Sequence, residues 1–161
     1  PSAASPTIWT GSERSNPMHL HIDDFSQDVA RILLQLYMNF PRPQAVYVED
    51  ISGPDQLDEA GLHGKRHMAC LGAMLWLAEE GYLRYQSTLY QEGIEQAVLS
   101  NRAFTLLTAT GDPDPQADPD LPVSVQLERA TLAEQFRTAL AARDSTRISA
   151  LVRHLLARAT A

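Results

Sequence analysis

Residues 63–83 read HGKRHMACLGAMLWLAEEGYL, and the reading of this stretch decides the fold. His63, Lys65, Arg66 and His67 come first, and eleven consecutive apolar or small residues, Met68 to Ala78, follow. Glu79-Glu80-Gly81-Tyr82-Leu83 closes it. A proline-free run of this length predicts a helix over about Lys65 to Glu80, with Gly81 supplying the left-handed residue that ends it. Three uses fit such a helix: a DNA-reading helix with a basic tip, a metal site built on His63, His67 and Cys70, or a core helix.

Upstream, Asp23, Asp24 and Ser26 offer N-cap chemistry ahead of a helical pattern. That pattern places Phe25, Val29, Ile32, Leu33, Leu36 and Tyr37 on one face, and Pro41 and Pro43 stop it near Phe40. Residues 45–51, AVYVEDI, are β-branched and aromatic, which predicts a strand. Ser52-Gly53-Pro54-Asp55 predicts a turn leading into a short helix over Pro54 to Glu59, and Gly61 and Gly64 bracket a tight turn.

Downstream, Tyr82 to Tyr90 and Ile94 to Leu99 predict a β-hairpin turning at Gln91-Glu92-Gly93. Ser100 is positioned to cap a helix from Asn101 to Thr108. The segment 111–123, GDPDPQADPDLPV, reads as a proline-stiffened linker. Two more helices follow, over Ser124 to Ala142 and from a Ser145 cap, the second with Ile148, Leu151, Val152, Leu155 and Leu156 on one face. The expected organisation is a flexible tail over 1–21, a domain over 22–109, a linker over 110–123 and a C-terminal helical hairpin over 124–161.

A chain of 161 residues that is 44% hydrophobic is long enough to bury a sizeable core. Thirteen basic residues against twenty acidic ones give a net charge of −7, which disfavours general polyanion binding and restricts any nucleic-acid contact to a local patch. The charge is uneven: residues 18–110 carry −6, residues 111–123 carry −4 and residues 124–161 carry +3. The Arg-rich C-terminal helices therefore complement the acidic body, or a second chain. One cysteine excludes an internal disulfide and fits a reducing, cytoplasmic setting. No apolar stretch approaches the length of a membrane span, and residues 1–17 lack the features of a secretory signal.

The order helix, strand, short helix, turn, long helix, hairpin, helix resembles a winged helix-turn-helix domain. Leu57 and Ala60-Gly61-Leu62 match the second helix and turn; Met74, Leu77 and the run Ala78 to Leu83 match the end of the third helix. Leu99-Ser100 resembles the Leu-Thr that commonly follows the second wing strand. The likeness spans about residues 22–108 and implies a mainly α fold with a small β-hairpin or sheet, a winged helix, here followed by the C-terminal hairpin.

In DNA-binding members of that family the third helix enters the major groove by its N-terminal half. The resemblance therefore implies a transcription-regulator-like protein binding double-stranded DNA through His63, Lys65, Arg66, His67, Ala69 and Ala73, flanked by Arg84 and Arg102, and acting as a dimer. The face continuing from Arg66 departs from that pattern. Ala69, Ala73 and Trp76 are small or apolar, and Glu92 and Glu95 in the wing would repel phosphate. The alternative expectation is a protein-interaction module that docks a partner or a second copy through Trp76 on the third helix and through Ile148, Leu151 and Leu155 on the last.

Other constellations are weaker. His63, His67 and Cys70 share one helical face, and His19 or His21 would complete four metal ligands, but Cys70 lies in a core run where a free thiol behaves as a small hydrophobe. The expectation is therefore no metal and no cofactor. Asp23, Asp24 and Asp28 suit a helix start electrostatically. The alternating Asp and Pro residues of the linker lack calcium-loop spacing. Tyr82, Tyr85 and Tyr90 are expected to pack the hairpin rather than stack on bases. No nucleophile elbow, phosphate loop, dinucleotide fingerprint or zinc-protease motif occurs, so the chain is expected not to be an enzyme.

Overall fold

A computed structural model describes residues 17–110 and 118–160, with side chains described from His21 onward. The described chain is mainly helical and carries a small four-stranded antiparallel sheet. Its elements are α1 (Pro17–Asn39), β1 (Gln44–Tyr47), α2 (Val48–Ser52), α3 (Lys65–Glu79), β2 (Leu83–Arg84), β3 (Ser87–Thr88), β4 (Gly93–Leu99), α4 (Asn101–Thr108), α5 (Val123–Arg129), α6 (Leu132–Ala141) and α7 (Ser145–Ala159). No helix among the described residues is long and apolar enough to cross a membrane.

The sheet order is β1-β4-β2, with β3 also paired to β4. Val46 lies opposite Ile94 and Leu83 opposite Leu99, and all four are buried. Gly93 faces Tyr47 so closely that a Cβ there would collide with the Val46 carbonyl. This close approach, rather than backbone freedom, requires glycine at 93.

Helix α3 ends as its sequence predicts. Gly81 takes φ +82, its amide bonds the Ala78 carbonyl at 3.1 Å, and the Tyr82 amide reaches back to the Leu77 carbonyl at 2.9 Å. Ser100 caps α4 by accepting from the Ala103 amide at 3.2 Å, and its hydroxyl donates to the Gly81 carbonyl at 2.7 Å. One side chain thus joins the end of α3 to the start of α4.

Several boundaries differ from expectation. Helix α1 already runs from Pro17, ahead of the proposed cap residues, so residues 17–21 of the expected tail are helical; residues 1–16 lie outside the described residues. The strand ends at Tyr47, where the Val48 amide turns to the Glu92 carbonyl and Glu49 and Asp50 enter the favourable first turn of α2.

No helix forms over 54–59. Asp58 Oδ1 instead accepts from the Ala60 and Leu62 amides at 2.9 Å each, an Asx turn that competes with helix. The first hairpin arm splits at Tyr85-Gln86 into β2 and β3. The helix expected over 124–142 breaks before Thr131, which caps α6 by accepting from the Glu134 amide. Asp144, not Ser145, caps α7 through the Arg147 amide. Most of the linker, residues 111–117, lies outside the described residues.

The core is one continuous cluster. It joins Val29, Leu33 and Leu36 of α1 and Met74 and Leu77 of α3 to Phe136 of α6 and Ile148, Val152 and Leu155 of α7, all at or below 1% exposure. Helices α6 and α7 pack on α1 and α4 of the same chain. Ile148, Leu151 and Leu155, expected on a partner-facing surface, are therefore buried inside the chain: their apolar stripe is covered by its own α1 and α4.

Candidate functional site

Two features meet at the start of α3: an apolar groove along one side and a histidine–carboxylate cluster at its tip. The groove lies between α1 and α3 and encloses about 760 Å³. Phe25 and Ile22 from α1 and Ala69, Gly72, Ala73 and Trp76 from α3 line it, and His21, Asp24, Asp28, Lys65 and Arg66 contribute its polar groups. The small residues of α3 leave the space open; a Cβ built on Gly72 meets nothing within 4 Å. Trp76 is held edge-on by Phe25, centroids 5.5 Å apart at 77°, and stacks at 6.3 Å on Tyr82. The wall is therefore a braced aromatic surface.

The basic tip of α3 is largely neutralised within the chain. Arg66 makes a two-pronged contact with Asp28, 2.6 Å on each arm, and approaches Asp24 at 3.6 Å. Asp28 is 1% exposed, so this pair places a buried carboxylate under the groove. The guanidinium is held above its ordinary value by its hydrogen bond to Asp28. Arg102 is also occupied: it lies over the Tyr82 ring at 5.1 Å and donates to the Glu80 and Ala159 carbonyls. Lys65 and Arg84 are exposed and make no ion pair among the described residues. His67, at 1% exposure, faces inward, and Ala73, at 3%, lies at the bottom of the groove.

The cluster is built from the loop before α3, the first turn of α3 and the hairpin turn. His63 Nδ1 lies 2.8 Å from Asp55 Oδ2, and His63 Nε2 lies 2.6 Å from Glu92 Oε1. Both ring nitrogens face carboxylates, which accept and do not donate, so His63 is an imidazolium here. The hydrogen bond to Asp55, aided by Glu92, holds its pKa above the ordinary 6.5. The same hydrogen bond from His63 is the main cause that holds Asp55 below 3.8, and the Gly64 amide adds to it.

The ring of His67 stacks on His63 at 3.7 Å and 3°. His67 Nε2 donates to the Gln91 carbonyl at 2.7 Å, leaving Nδ1 as the free nitrogen. That Nδ1 is buried and has no hydrogen-bond partner among the described residues, with Asp55 Oδ2 at 3.8 Å. A buried polar atom left so costs about 1–3 kcal/mol.

Asp55, His63 and His67 each present a ligand atom, all within 4.8 Å of one another. The sequence grouped His63 and His67 with Cys70 by helical spacing. The structure replaces Cys70 with Asp55, because Cys70 turns into the core at 0% exposure, where burial pushes its thiol up to about 12. Nothing in the sequence pattern pointed to Asp55, which an irregular loop brings back to the α3 tip.

His21 is exposed and lines the groove instead; the side chain of His19 lies outside those described. Asp23 accepts from the Ser149 hydroxyl at 3.1 Å, and Asp24 and Asp28 serve Arg66, so these three acids have structural partners. Tyr82 is buried and Tyr85 packs against the core, whereas Tyr90 is 94% exposed. Comparison with protein-family models, curated proteins and solved structures gives no match for this chain.

Proposed function

We propose that this chain is a winged-helix-like, non-enzymatic interaction module that docks an amphipathic helix of a partner protein in the groove between α1 and α3. The observation that carries the reading is the groove itself: an apolar channel along the helix that the resemblance casts as the reading element, walled by Trp76 and floored by Ala69, Gly72 and Ala73. Helix-in-groove binding uses such a surface, with bulky apolar side chains of the partner entering spaces left by small ones. The sheet, with β1 and β2 flanking β4, is compatible with the winged-helix likeness, although the short helix falls at Val48–Ser52 and not at Leu57. The engagement of Arg66 by Asp28 and the inward placement of His67 favour protein over DNA as the partner.

DNA binding is the second reading, favoured by the exposed cations Lys65 and Arg84. One comparison separates the two. A photo-crosslinker at Gly72 should capture a helical segment of a partner, mapped by mass spectrometry, and Ala69→Phe should abolish the capture while Arg84→Ala, outside the groove, leaves it intact. Fluorescence anisotropy on mixed-sequence duplex DNA should stay flat at low salt. Salt-sensitive binding to the duplex that Lys65→Ala and Arg84→Ala weaken would overturn the protein-docking reading in favour of DNA.

A further inference from the structure

The geometry points to a zinc-binding site at Asp55, His63 and His67, with the Glu92 carboxylate and the Gln91 carbonyl as its outer shell. Two imidazoles and one carboxylate make a donor set suited to a borderline divalent ion such as Zn²⁺ rather than to Mg²⁺ or Ca²⁺, which prefer all-oxygen shells. Bonds of about 2.0–2.1 Å in a tetrahedron place ligand atoms roughly 3.3 Å apart. The separations to Asp55 Oδ2 bracket that spacing, at 2.8 Å for His63 Nδ1 and 3.8 Å for His67 Nδ1. The two rings lie parallel at 3.7 Å, so sharing one ion requires His63 to turn out of its stack on His67, with the three ligand atoms starting within 4.8 Å of one another.

The independent observation is His67. Its ring is 1% exposed, its Nε2 is committed to the Gln91 carbonyl, and its Nδ1, 3.8 Å from Asp55 Oδ2, has no hydrogen-bond partner among the described residues. A hydrogen-bonded network accounts for Asp55, His63 and Glu92 but leaves that nitrogen unexplained. Metal-ligating histidines characteristically donate their other N–H to a carbonyl or a carboxylate, which sets the tautomer. Both donations are already in place, His67 to Gln91 and His63 to Glu92. On binding, His63 releases its Nδ1 proton to solvent and Asp55 exchanges that hydrogen bond for the ion.

Three protein ligands leave a fourth position for water. The ion would join the loop before α3, the first turn of α3 and, through the outer shell, the hairpin turn. It would therefore set the hairpin against the helix that walls the groove.

The test uses the full chain stripped with chelator and titrated with Co²⁺, followed by Zn²⁺ displacement. Expected are the intense visible bands of tetrahedral cobalt, their loss on adding zinc, and a zinc-dependent rise in Tm. Asp55→Asn and His63→Gln should each weaken binding by at least about 100-fold, and Glu92→Gln by about 10-fold, within the range for outer-shell groups. Far-UV circular dichroism of the metal-free variants confirms that they are folded. Asp55 and His63 are partly exposed, which makes these substitutions milder than one at buried His67. Absence of cobalt bands in the wild type, or wild-type affinity retained in folded Asp55→Asn and His63→Gln, overturns the proposal.

Discussion

One buried pair ties the start of α3 to α1. Asp28 is 1% exposed on α1, and Arg66 reaches it from α3 with two 2.6 Å hydrogen bonds. Removing the arginine leaves a carboxylate buried without its partner, and such losses run about 3–5 kcal/mol for fully buried pairs. The Arg66 side chain is 38% exposed, so water reaches its outer face and the expected cost falls to about 2–3 kcal/mol. Arg66→Ala should lower the urea midpoint accordingly at unchanged slope. Asp28→Leu combined with Arg66→Met should recover most of the loss, because the carboxylate that needed the arginine is gone. If Arg66→Ala unfolds at the wild-type midpoint, the pair is not the link between α1 and α3 described above. The same logic makes Arg84→Ala, outside the groove and without an ion pair among the described residues, a cleaner probe of DNA binding than an Arg66 variant.

At the scale of elements, legibility in the sequence followed how local the governing physics was. The end of α3 at Gly81 and the Ser100 cap of α4 depend on one residue and its neighbours, and both were readable. The segment 54–59 was not, because its outcome turns on where two aspartates spend their oxygens. Asp58 bonds amides just ahead of it, and Asp55 goes to His63 and the Gly64 amide, a destination set by tertiary structure. The cap of α7 moved by one residue because Asp144 and Ser145 are both good caps.

Gly93 was legible as a turn residue for an incomplete reason. Its role is the close approach of β4 to the Val46 carbonyl, which a single strand's pattern does not contain. Gly93→Ala should therefore force β1 from β4 and cost more than the gain of about 0.4–1 kcal/mol that a compatible Gly→Ala site gives. Faster amide exchange at Val46 and Ile94 would register it, whereas a Tm at or above wild type would show that the strands separate without penalty.

The whole molecule departs most from its sequence reading in how its halves relate. Composition marks a boundary at 111–123, and the change from net −6 before it to +3 after it reads as two units that attract. The structure carries that attraction further, into a shared core. Phe136, Ile148 and Leu155 are at most 1% exposed in the same cluster as Val29 and Leu33, and Ser149 donates to Asp23 across the joint. The apolar stripe on α7 was legible, but amphipathic spacing says only that a face will be covered, not by what.

The candidate site follows the same rule. Trp76 with its small neighbours and the pair His63 and His67 were visible along one helix, while Asp55, Glu92 and Asp28 arrive from other segments. If the core is truly shared, a chain ending at Thr110 loses the cover over α1 and α4 and exposes Val29, Leu33 and Leu107 to water. Burying a large aliphatic side chain contributes about 1.5–3 kcal/mol, so exposing these three removes about 4.5–9 kcal/mol, comparable to the 5–15 kcal/mol that holds a typical domain together. The truncated chain should show no cooperative thermal transition, and adding residues 118–161 as a separate peptide should restore one. A sharp transition in the truncated chain alone would restore the domain boundary at the linker, with residues 22–109 folding as an independent unit.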